Sequence, residues 1–174
     1  PTVKTLHLFR LTQVICAVVY EIAKFLHITG VVMLMGNITV TAIWKYFADR
    51  TQQPEVLSFA QKLVTYTDWS MTVWGVVLLM GGGYFMVFFA DWPLTLHWLL
   101  ASQLLFVVAG LIWLLLLVPI QVRQARLARS FTGNDVGDEY RKLSRRWLIW
   151  GLISTLPLVA ATWLMIAKPV SGLY

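Results

Sequence analysis

Only one cysteine, Cys16, occurs in the 174 residues. That excludes an internal disulfide and any cysteine-built metal cage. Charge is scarce as well: 13% of the residues are Asp, Glu, Lys or Arg, against roughly 25% in an ordinary soluble domain. No Walker loop, HExxH helix or dinucleotide fingerprint is present, and no nucleophile is accompanied by a base and an orienting group. No segment alternates polar and apolar residues as a barrel strand would. These absences leave no basis for a disordered chain, a nucleic-acid module or a secreted disulfide scaffold.

What the chain has is apolar surface. The apolar residues make up 59% of it, with a mean hydropathy of +0.71. A water-soluble globule of this size cannot hide that much. Four apolar runs are near the twenty residues that a helix needs to cross a bilayer: about 22–44, 69–90, 96–120 and 147–167. The expected fold is all-α, an integral membrane four-helix bundle forming one transmembrane domain over 1–174. The stretch 1–19 is expected to lie at the surface or to continue the first helix outward; a signal peptide is the weaker reading, since no small-residue cleavage site stands out.

The net charge of +6 maps onto the loops. Lys45, Arg50 and Lys62 lie between spans one and two. Arg123, Arg126, Arg129, Arg141, Lys142, Arg145 and Arg146 lie between spans three and four. These ten of 14 basic residues share one side of a four-span protein, which the positive-inside rule places in the cytoplasm, with both termini outside. Arg123, Arg126 and Arg129 read as topology determinants and anionic-lipid contacts. Residues 54–66 should form an amphipathic start to the second helix, residues 130–137 a loop, and residues 138–146 a helical lead-in with acidic residues first. Trp92, Trp98, Trp147 and Trp150 suit an aromatic belt. Pro157 should kink the fourth helix, with Ser154, Thr155 or a neighbour meeting the freed backbone groups.

Polar residues within spans are costly and point to function. His27 lies in the first span and His97 opens the third; His7 reads as surface. The 18 residues from His27 to Lys45 and the 24 from His97 to Gln121 correspond to about 27 Å and about 36 Å of helix. Both imidazoles therefore fall in the outer half at similar depth. Two such histidines on different helices can hold one metal, and a b-type haem needs no cysteine. Lys24, Gly30, Leu34, Asn37 and Thr41 share the face of His27 at steps of three and four. Gly30 offers room for a flat ring, Lys24 a partner for Glu21 or a propionate, and Asn37 a cofactor contact or interhelical glue. Gly75 and Gly82 share a face of the second helix, where the Met80–Tyr84 run allows close packing or a site. Asp68 is expected to pair with Arg or Lys of the basic loops. Met33, Met35 or Met80 joining the histidines would suit copper, the alternative metal.

The stretches KFLHITGVVMLMGNITVTAIWKYFADR, SFAQKLVTYTDW and LVPIQVRQARLAR resemble a bacterial family of predicted four-span membrane proteins of unknown function, over about Ile22 to Met165. More distantly, Lys24 and His27 are similar to the Lys-x-x-His pattern of the first helix in HemJ-type protoporphyrinogen oxidases. Trp92 and His97 match that family's third-helix opening loosely, and Leu99 stands where a lysine is expected. The likeness implies haem binding at His27 and leaves oxidase activity short of one residue. Membrane domains of the CopD type are also distantly similar, which keeps copper open. The expected function is haem-linked electron transfer with a quinol or a redox partner subunit. A cofactor-free accessory subunit of a respiratory complex, a homo-oligomer or a copper transporter remain the other readings.

Overall fold

The computed structural model describes residues 3–131 and 136–169, with side chains from Arg10 onward. The expected position of the His7 side chain and residues 132–135, half of the expected loop, lie outside the described residues. Four long helices make up the described chain: α1 (Val3–Thr51), α2 (Pro54–Phe89), α3 (His97–Arg129) and α4 (Asp138–Ala167). All four are long and apolar enough to cross a membrane, and no strand occurs among the described residues.

Burial runs the opposite way to that of a water-soluble bundle. Phe25 and Ile166 are 68% and 73% exposed, whereas Asn37, Thr41, Lys45, Gln61, Thr72, Gln121 and Gln124 are buried. Apolar side chains outside and polar ones inside is the distribution a lipid solvent imposes, because polar groups there must find partners within the protein.

No boundary falls within residues 3–19. α1 runs through them as part of one helix of 49 residues, about 73 Å at the standard rise. Tyr20 meets Phe89 at the end of α2, ring centroids 6.4 Å apart, and residues 10–18 are exposed beyond that contact.

Both central helices contain a π-helical turn, Asp68–Thr72 in α2 and Trp113–Leu117 in α3. The second has a clear cause. Pro119 carries no N–H and its ring excludes the carbonyl four residues back. The helix widens just before it, and the Val118 N–H reaches the Trp113 carbonyl, five residues away. Pro157 lies inside α4. Ser154 and Thr155 both donate to the Gly151 carbonyl, at 2.9 and 2.8 Å. The carbonyl freed by Pro157 is that of Ile153, so of the groups expected to meet it these two hydroxyls do not.

The helices form a ring. α1 packs along α2, and α3 along α4. Pro54–Thr67 of α2 approaches Val118–Arg129 of α3, but no α-carbon of Val73–Phe89 comes within 8 Å of one in His97–Ile112. The diagonals α1/α3 and α2/α4 stay apart in the same sense. The bundle is thus closed at the end bearing the basic loops and looser at the end bearing His97. Leu34, Ala109 and Leu158 form its middle core, while Val64, Leu117 and Trp147 form a second cluster nearer the basic loops.

Candidate functional site

Glycines set the approach of α1 to α2. A Cβ on Gly82 would lie 2.6 Å from the Ala23 carbonyl, and one on Gly30 would strike the Leu79 nitrogen and sit 2.6 Å from the Gly75 carbonyl. The two backbones are therefore in direct contact. The slot expected beside Gly30 does not exist, because α2 occupies it.

That contact seats His27. Its Nδ1 lies 2.7 Å from the Leu79 carbonyl oxygen, and a Cβ on Gly83 would come within 2.9 Å of the same nitrogen. A carbonyl oxygen has no proton to give, so Nδ1 is the donor. In a neutral ring the lone pair then lies on Nε2. Metal-binding histidines are oriented in this way, one nitrogen tied to the backbone and the other left to coordinate.

The other residues expected around His27 disperse. Lys24 is exposed and paired with Glu21 at 2.9 Å. His97 is exposed at the start of α3, on the helix diagonal to α1. At that end Trp92 and Trp98 meet edge to face at 5.8 Å, with the Lys168 ammonium over both rings. Gln103, six residues beyond His97, accepts from the Tyr84 hydroxyl at 3.0 Å. His97 thus stands about 9 Å further toward this end than the Tyr84 level of α2. Among the described residues, no three His, Cys, Asp or Glu side chains gather as a metal cage.

Asn37 belongs to a different centre. Its Nδ2 donates to Asp68 Oδ1 at 2.9 Å and to Thr72 Oγ1 at 2.8 Å. Thr72 donates to the same carboxylate oxygen at 3.2 Å, and Gln121 Nε2 reaches Asp68 Oδ2 at 3.0 Å. Asp68 therefore joins α1, α2 and α3 through neutral donors and not through a loop cation as expected. Gln61 Nε2 extends the network to the Gln121 carbonyl at 3.4 Å. Asn37 Oδ1, Gln61 Oε1, Gln121 Oε1 and both amide atoms of Gln124 have no hydrogen-bond partner among the described residues. Buried amides in this condition are where internal water or a polar ligand binds. The π-turn that carries Asp68 and Thr72 is itself a feature that recurs at functional sites.

Lys45, expected in a loop, is inside the bundle at 1% exposure. Its Nζ is 3.1 Å from Asp49, 3.0 Å from the Tyr140 hydroxyl and 3.0 Å from Ser144 Oγ, and Ser144 also donates to Asp49. A buried ammonium needs this many partners. The signal was present in the sequence: Asn37, Thr41, Lys45 and Asp49 recur every four residues, continuing the face of His27. Gln61, Gln121 and Gln124 carried no comparable signal, because a glutamine near a span end also suits a solvated loop.

No curated protein and no solved structure matches the chain. Residues 21–169 match the family described as predicted integral membrane protein (DUF2269). A match over most of its length, on a bundle of four membrane-length helices, makes this chain a member of that family of multi-pass integral membrane proteins.

Proposed function

We propose that this protein holds a b-type haem in the half of the bundle away from the basic loops and passes electrons through it. His27, through Nε2, and His97, on the diagonal helix, are the residues that would hold it. The observation that carries this reading is the Nδ1–H bond from His27 to the Leu79 carbonyl, which leaves an oriented lone pair in a low-dielectric setting. A bound haem would supply a one-electron couple tuned by its axial ligands. Gly30 and Lys24 are assigned no part, one being covered by α2 and the other paired with Glu21. The resemblance of Lys24 and His27 to the HemJ pattern favours the same ligand. Leu99, buried where that family has lysine, favours electron transfer over porphyrinogen oxidation.

The reading includes a bacterial inner membrane, with the basic loops cytoplasmic, as the distribution of Lys and Arg supports. The electron source would be a quinol or a redox partner subunit. Purified protein should show a Soret band and one haem iron per chain by metal analysis. His27→Ala should abolish the band, and His97→Ala should convert a six-coordinate spectrum to a five-coordinate one. Absence of a Soret band after expression with added haem precursor overturns the proposal, and stoichiometric copper in place of iron would transfer the site to copper. A monodisperse His27→Ala protein that retains the full spectrum removes the ligand assignment.

A further inference from the structure

Two grooves meet at Arg123 near the basic end of α3. One, about 410 Å³, lies between α3 and the start of α4 and is lined chiefly by Arg123, Lys142, Arg145, Arg146, Leu143 and Ile149. The other, about 640 Å³, continues along α3 past Val122 to Pro119 and Val118. Glu139, the acidic residue on the first groove, is paired with Arg123. Lys142, Arg145 and Arg146 are exposed and make no ion pair or side-chain hydrogen bond among the described residues.

The order of side chains is the informative part. Going into the apolar span, α4 presents Lys142, then Arg145 and Arg146, then Ile149. α3 runs the opposite way and presents, in the same direction, Arg126, Arg123, Val122, Pro119 and Val118. Both walls pass from cationic to apolar within about two turns. A free phosphate would use the cations alone, and an apolar segment would leave them unpaired. A molecule with an anionic head and a hydrocarbon chain uses both.

We propose that these joined grooves bind one anionic glycerophospholipid from the surrounding leaflet. Its phosphate lies among Lys142, Arg145, Arg146 and Arg123, and one acyl chain lies along Val122, Pro119 and Val118. Basic pockets between membrane helices take acidic headgroups in this manner. The site does not depend on any bound metal or haem.

The test is native mass spectrometry of delipidated protein titrated with phosphatidylglycerol, phosphatidylcholine or inorganic phosphate. One phosphatidylglycerol per chain should be retained at least tenfold more strongly than phosphatidylcholine, and should be released by raised salt. Each cation near the surface contributes about fivefold to binding. The K142Q/R145Q/R146Q variant should therefore lose on the order of a hundredfold, whereas an R50Q/K62Q/R129Q variant of equal charge should retain the lipid. Equal retention of the two lipids, equal loss in both triple variants, or tight binding of phosphate alone would each overturn the proposal. If the first variant is not monodisperse, the salt dependence of the unaltered protein decides, and salt-independent retention counts against the site.

Discussion

Asn37 and Asp68 share a 2.9 Å hydrogen bond that ties the middle of the first helix to the π-turn of the second. The same amide nitrogen holds Thr72 at 2.8 Å, so one side chain sets the position of two. The carboxylate is answered from the third helix by Gln121. Three of the four spans are thus joined at one acidic residue inside the bundle, and the last is joined to the first by Lys45.

Asn37→Ala should cost about 1–3 kcal/mol, because it leaves Asp68 and Thr72 short of a donor in a buried setting. Thr39→Ala, on the exposed side of the same helix and bonded to Met35 of its own helix, should stay within about 0.5 kcal/mol of the parent. Reversible unfolding in mixed micelles compares the two. Equal losses would mean that the Asp68 centre contributes no more than ordinary helix contacts.

The glycines of α1 and α2 divide sharply. Gly82→Ala pushes a methyl into the α1 backbone near Ala23 and His27 and should destabilise by about 1–3 kcal/mol. A Cβ at Gly36 meets nothing within 4 Å, and Gly36→Ala should be neutral or stabilising by up to about 1 kcal/mol from helix propensity. Melting temperatures in one detergent suffice to rank them. A reversed order would show that the α1–α2 approach is wrong.

Lys45→Met should destabilise by about 3 kcal/mol, the low end for breaking a buried pair, since Asp49 keeps some access to water. Tyr140→Phe removes one of the ammonium's partners and should cost about 1.5–3 kcal/mol, the range for a hydrogen bond to a charged group. A double-mutant cycle on the two residues should give a coupling above about 0.5 kcal/mol, as for groups within one network. Additive effects would argue against direct contact.

His27 in metal-free protein should carry a proton on Nδ1, as its bond to the Leu79 carbonyl requires. Nitrogen-15 NMR of labelled histidine reads this directly. Gly83→Ala places a carbon 2.9 Å from that nitrogen and should disturb the signal without touching the ring chemically. A parent spectrum showing protonated Nε2 and bare Nδ1 would contradict the seat of the ring.

The number of spans, their all-helical nature and the membrane solvent were legible from composition and run length alone. The physical reason is that a bilayer accepts only segments that satisfy their own backbone bonds, and four apolar runs leave little choice. The inward face of α1 was also legible, because Gly30, Leu34, Asn37 and Thr41 keep the helical period, and each is buried. The sequence could not show what that face meets. Gly30 meets the backbone of α2 and not a cofactor, Asn37 meets Asp68, and Lys45 turns inward to Tyr140 and Ser144, 95 and 99 residues away. Such pairings depend on which helices adjoin and at what height, and on the π-turn that carries Asp68. Apolar runs hold no such information, since any two lipid-soluble helices can pack. The scarcity of charge announced a membrane protein; only the tertiary structure decided which of its few polar groups face one another.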